Sequence, residues 1–105
     1  MRISAEQISI IKDTIGRIVP LEDFDKLALF GSRTDDSKRG GDVDLLLVLR
    51  QPVARPSYLR AKLASQIERQ FEANLGGALK VDVLLQAPNI AMQPIHHVAA
   101  QGIWL

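Results

Sequence analysis

The chain has no cysteine, so disulfides, thiolate metal sites and a cysteine nucleophile are all ruled out. It has almost no net charge: thirteen Lys and Arg against twelve Asp and Glu give a formal charge of +1, too little to grip nucleic acid or an acidic membrane surface strongly. No apolar run approaches the ~18 residues expected of a membrane-spanning helix. Nor does the Met1-Arg2-Ile3-Ser4-Ala5-Glu6 start carry the apolar core of an export signal. A cytoplasmic protein is the expectation. Internal repeats and low-complexity segments are absent too. What remains is a chain of 105 residues, 47% hydrophobic, which reads as a single globular domain over 1–105. A domain of that size buries about two-thirds of its unfolded surface, enough for one modest core.

Ile8, Ile11, Ile15 and Ile18 recur at helical spacing and predict a first helix from about Ala5 to Arg17. Ser4 and Gln7 form a capping box at its start, with Ile3 placed to staple against Ile8, and Pro20 ends it. After a connector over Leu21–Asp25, Lys26–Phe30 reads as a short strand. Gly31 to Gly41 is a polar loop. Val43 to Leu49 is apolar at every position but Asp44, so it reads as a central strand buried on both faces. Gln51–Pro56 is a connector. Leu59, Leu63, Ile67 and Phe71 then mark a second helix over about Ser57–Asn74, with Arg60, Lys62, Glu68, Arg69 and Glu72 on its wet side. Leu79–Leu85 is a further strand, Pro94–Gln101 a short closing helix, and Ile103-Trp104-Leu105 a final edge strand. The expected fold class is α/β (α+β), a mixed sheet of three to four strands with helices packed on it.

The chemistry concentrates in two places. Asp42 and Asp44 alternate with apolar residues at the mouth of the central strand, so they share a face with Cα atoms ~6.7 Å apart. Asp82 interrupts the strand over Leu79–Leu85. If the two strands are neighbours in suitable register, three carboxylates converge. Clustered, partly buried anions raise one another's pKa and either take up protons or hold a cation. An all-oxygen donor set favours a hard ion, Mg²⁺ or Mn²⁺. Upstream, the Gly31-Ser32 turn offers backbone N–H groups and a hydroxyl to phosphate oxygens, and Arg33, Lys38 or Arg39 supplies countercharge. Metal ions bridging carboxylates and phosphate are the arrangement for in-line displacement at phosphorus. Each element has an ordinary explanation taken alone: a Gly-Ser turn, an Asp-x-Asp strand start, an edge aspartate facing water. Their joint occurrence on two apolar strands points to a metal–phosphate site.

Leu29-Phe30-Gly31-Ser32-Arg33, a polar spacer, Asp42-Val43-Asp44-Leu45-Leu46-Leu47-Val48 and, downstream, Val81-Asp82-Val83-Leu84 resemble the minimal nucleotidyltransferases (MNT) of the DNA polymerase β superfamily. The resemblance covers essentially the whole chain and implies a nucleotidyltransferase fold. It implies that Asp42 and Asp44 bind the metal ions and that Asp82 is the third acid, completing one metal site and helping to deprotonate the acceptor. Gly31 and Ser32, with Arg33 beside them, would hold the triphosphate of ATP. Gly41 departs from the family pattern, in which a Ser is frequent there. Such proteins are commonly paired with a helical HEPN ribonuclease toxin, which the MNT partner neutralises, in studied systems by transferring AMP from ATP to a toxin tyrosine. The expectation is therefore a Mg²⁺-dependent protein adenylyltransferase acting as an antitoxin, with homo- or hetero-oligomerisation left open. One alternative is a non-catalytic module that masks its partner. Another is a nucleotidyltransferase acting on a small molecule or an RNA end.

Other residues carry blander expectations. His96 and His97 are adjacent on the last helix, about 100° apart, and read as packing or surface residues. Trp104 and Leu105 read as completing the core, with a partner contact as the alternative, and Tyr58 as an ordinary helix-start residue.

Overall fold

A computed structural model describes residues 2–37 and 41–105. It is an α+β fold with a four-stranded mixed sheet and three α-helices. Helix α1 spans Ala5–Ile18, and its capping box is reciprocal. The Gln7 N–H donates to Ser4 Oγ at 3.0 Å and the Ser4 N–H to Gln7 Oε1 at 2.8 Å. A short 3₁₀ turn at Leu21–Asp23 leads into β1, Phe24–Phe30. Then follow β2 (Val43–Leu49), α2 (Pro56–Leu75), β3 (Val81–Gln86), α3 (Pro94–Ala100) and the two-residue β4 (Ile103–Trp104). The strands lie in the order β3-β2-β1-β4, with β2 parallel to β3 and β1 antiparallel to both β2 and β4.

β2 is interior and buried on both faces, as its unbroken apolar run requires. One face carries Leu27, Leu29, Val43, Leu45, Leu47, Val81, Val83 and Leu85. It packs against Ile11 and Ile15 of α1 and Leu63, Ile67 and Phe71 of α2. The opposite face is covered only in part, where Ala28, Leu46 and Val48 meet Ala99 of the short α3. Asp44 belongs to that second face, beyond the patch that α3 covers.

Three of the sequence expectations shift. β1 begins at Phe24 rather than Lys26 because a bulge between the two lets the strand run on past an irregular step. β3 begins at Val81, not Leu79. Trp104 does not complete the core: it lies on the outer strand, 46% exposed, with the Lys26 ammonium 5.2 Å from its ring centroid, while Leu105 packs partly against the core.

β3 is an edge strand, and side chains take the place of a further strand along its outer side. The Val81 N–H donates to Glu68 Oε2 (2.8 Å), the Val83 carbonyl accepts from Arg60 Nε (2.7 Å), and the Leu85 carbonyl lies 2.8 Å from His96 Nε2. Arg60 and Glu68 are thus more than a solvated helix face. His96 is buried, and its partners fix its tautomer. Nδ1 accepts from the Gln93 N–H at 2.9 Å, so Nε2 carries the proton and donates to Leu85 O. His97 is exposed. Replacing His96 by Ala strands a buried carbonyl and an amide and leaves a cavity. We expect a loss of about 2–4 kcal/mol of unfolding free energy, read by chemical denaturation, since each orphaned group alone costs about 1–3 kcal/mol. A loss below 0.5 kcal/mol, on the order of an ordinary surface change, would contradict this role.

Candidate functional site

The pairing of β1, β2 and β3 sets Phe30, Asp44 and Asp82 side by side in one cross-strand row. Neighbours in such a row point to the same face, so Asp44 and Asp82 both look onto the open part of the second face. Asp42, two residues before Asp44, shares that side. Asp42 and Asp82 are exposed and Asp44 is half-buried. Burial raises the Asp44 pKa above the usual carboxylate range, and the charges of Asp82 and then Asp42 raise it further. The three acids therefore share one electrostatic environment.

The β1–β2 connection is pressed against this row. Gly31, at φ 76°, opens a 3₁₀ turn over Gly31–Thr34, and a Cβ at Gly31 would overlap Asp44 Oδ2. Gly41, at φ 87°, closes the loop, and a Cβ there would overlap the Ser32 hydroxyl. Glycine at position 41 thus has a local cause: the backbone is left-handed and the space a side chain needs is filled by Ser32.

Arg33 is engaged with the main chain. Its Nε donates to Gly41 O (3.2 Å) and its Nη1 to Arg2 O (2.9 Å), tying the loop together. Arg2 grips the same turn from the N-terminal segment, through Nη2 to Ser32 O (2.9 Å), Nε to Asp35 O (3.0 Å) and its backbone N–H to Arg33 O (2.8 Å). Sequence reasoning assigned Arg2 no part, and nothing local to it could have, because its partners lie thirty residues away. Lys38 and Arg39, the other countercharge candidates, lie outside the described residues.

Arg60 is the second residue the sequence reading missed. Anchored by Nε on Val83 O, it brings Nη2 to 3.7 Å from Asp82 Oδ1. As placed, no group of three or more His, Asp or Glu side chains among the described residues is gathered closely enough to hold a metal ion. The donor chemistry nonetheless fits a hard divalent cation. Three carboxylates lie on one face, and the innermost, Asp44, has its charged form disfavoured by burial and then by the charges of Asp82 and Asp42. Beside them opens a cleft of about 700 Å³, lined by Phe30, Asp44, Asp82, Ser57, Arg60 and Gln93 among others. That space is adjacent to the acids and large enough for part of a substrate.

No protein-family model matches the chain, and no curated protein matches it.

The raised pKa of Asp44 has a consequence for stability. Its proton is held more tightly in the folded chain than in the unfolded one, where the usual value is 3.8. The folded state is thus favoured most below that value and loses the contribution as pH rises through the folded pKa. In metal-free buffer Asp44→Asn should melt a few degrees above the native chain at pH 7, and the gap should close below about pH 3.8. Parallel melting curves over pH 3–8 read this directly. A gap independent of pH would remove the electrostatic explanation.

Proposed function

We propose that this chain is a Mg²⁺-dependent (or Mn²⁺-dependent) nucleotidyltransferase of the minimal type, transferring AMP from ATP to a hydroxyl on a partner protein. The observation that carries the reading is the in-register pairing of Asp44 with Asp82, with the Gly31 bend against the Asp44 carboxylate. An acid pair with a glycine bend against it offers carboxylates on one side and backbone N–H groups on the other, as transfer at phosphorus needs.

The acceptor hydroxyl attacks the α-phosphorus of the nucleotide. A new oxygen–phosphorus bond forms as the bond to the bridging α–β oxygen breaks, and pyrophosphate leaves. Asp82, the exposed acid on the cleft side, takes the acceptor proton. The Gly31 and Ser32 amides with the Ser32 hydroxyl hold the leaving phosphates, and Arg33 keeps that turn closed through Gly41 and Arg2. Asp42, Asp44 and Asp82 would hold the divalent ion, which supplies countercharge to the triphosphate when bound. The resemblance of the motif to minimal nucleotidyltransferases extends the proposal to a HEPN-type helical toxin as partner, an antitoxin role and a cytoplasmic setting. Among the described residues no helix is long and apolar enough to cross a membrane.

A second reading, a partner-masking module without catalysis, is favoured by one observation: Asp82 is turned toward Arg60 and the acids are not drawn together. Labelled ATP, Mg²⁺ and the candidate helical partner separate the two. We expect label on the partner with the native chain and a loss of at least a hundredfold with Asp42→Asn/Asp44→Asn, on the order of removing a main transition-state interaction. Transfer that survives the double change would refute the assignment of these acids. Neutralisation of the partner without any transfer would establish masking.

A further inference from the structure

A second concave surface lies away from the acids, and nothing in the nucleotide chemistry uses it. Between the C-terminal half of α1, the 3₁₀ turn and the start of β1 runs an apolar groove of about 540 Å³. Ile15, Val19, Phe24, Leu27 and Leu105 form its floor and walls. Leu21 stands at its rim 85% exposed, and Trp104 46% exposed. A small ligand within the groove would leave these two proud side chains in water, whereas a polypeptide laid across it would cover both. Covering such side chains favours association, and an exposed tryptophan is a frequent anchor for a partner.

The charges around the groove select the partner. Lys12, Asp25 and Lys26 line it, but Asp25 already faces Arg50, whose Nη2 lies 3.5 Å from Asp25 Oδ1. The rim is therefore basic. A second copy docked symmetrically would bring two more lysines against these two, which opposes self-association. A partner bearing Asp or Glu beside its apolar residues is complementary. The mode of contact is constrained as well. Among the described residues β4 pairs with β1 at Ala28 and Leu29 and no strand flanks the Phe24–Lys26 end of β1 on that side. However, the bulge between Phe24 and Lys26 breaks the regular spacing of its backbone groups, and a lysine sits on the edge; both features discourage strand addition. The groove is suited to inserted side chains instead.

We propose that this groove is a protein-docking surface that takes an amphipathic segment of a partner, its apolar side chains between α1 and β1 and its acidic side chains against Lys12 and Lys26. Phe24 and Phe30, at the two ends of β1, are ~20 Å apart by strand geometry. A partner seated here leaves the acidic face open, so the proposal stands apart from the nucleotidyltransferase reading.

Trp104 is the only tryptophan, so its fluorescence reports this surface alone. A random-peptide display library is selected against the native chain and, in parallel, against Lys12→Glu/Lys26→Glu. Both lysines are exposed, and losing the Lys26 contact to Trp104 touches only the surface, so the variant should still fold, which its melting curve and its own unbound Trp104 emission check. We expect the native chain to enrich peptides combining apolar residues with Asp or Glu. A synthesised representative should shift Trp104 emission to the blue and bind the double variant about tenfold more weakly, as two reversed rim charges imply. Enrichment without acidic residues, equal binding to the variant, or unmoved Trp104 emission would each overturn the proposal. So would sedimentation of the native chain alone as a dimer with blue-shifted Trp104, which would assign the groove to a second copy.

Discussion

The in-register parallel pairing of β2 with β3 is the constraint from which the rest of the molecule follows. The rows Val43–Val81, Leu45–Val83 and Leu47–Leu85 fill the core beneath α1 and α2, and the alternate row Asp44–Asp82 necessarily faces the other way. Because side chains alternate with a period of two, a slip by one residue would drive Asp82 among Ile67 and Phe71 and turn Val81, Val83 and Leu85 outward. An unpaired carboxylate forced into such surroundings costs several kcal/mol, and each displaced aliphatic forfeits about 1.5–3 kcal/mol of burial. The packing that builds the core thus also sets the two acids opposite each other, and the acidic face needs no separate device to fix its register.

The connection between β1 and β2 works to a different rule, that of close approach. Gly31 and Gly41 stand at its two ends with left-handed backbones, each where an added methyl group would strike a polar side chain, Asp44 in one case and Ser32 in the other. Glycine costs conformational entropy on ordering. Here that cost is offset by Arg2 and Arg33, whose guanidinium groups donate to the carbonyls of Ser32, Asp35, Gly41 and Arg2 itself. An anion approaching the bend would meet a backbone already fixed by two cations bound behind it.

What could be read from the sequence was whatever depends on short-range periodicity. The isoleucine stripe with its Ser4–Gln7 capping box, the unbroken apolar run after Asp44, and the i, i+4 row ending at Phe71 each specify an element by themselves, and those elements are present. The acid row was legible because alternation assigns faces before register is known. The features that escaped rest on contacts distant in sequence. Arg2 reaches Ser32, Arg60 reaches Val83, and His96 reaches Leu85, and in each case the partner is a backbone carbonyl with no sequence signature. The bulge in β1 escaped because its cause is strand pairing rather than composition. Trp104 was misplaced because hydrophobicity alone does not distinguish a core residue from one left over an open groove.

Arg60 makes two contacts of unequal strength at the edge of the acidic face. Its Nε bond to Val83 O is short and part-buried, whereas its approach to Asp82 is 3.7 Å between side chains that are 47% and 65% exposed. A pair so open to water is worth less than about 1 kcal/mol. A divalent cation offered three carboxylates, one of them disfavoured in its charged form by burial and by its neighbours, gains more than that from Coulomb attraction alone even when screened. On the proposed function, Asp82 would leave Arg60 for a bound cation without disturbing the anchor that Arg60 makes on the edge of β3. The guanidinium, which lines the cleft, would then stay beside the acids as a fixed positive charge.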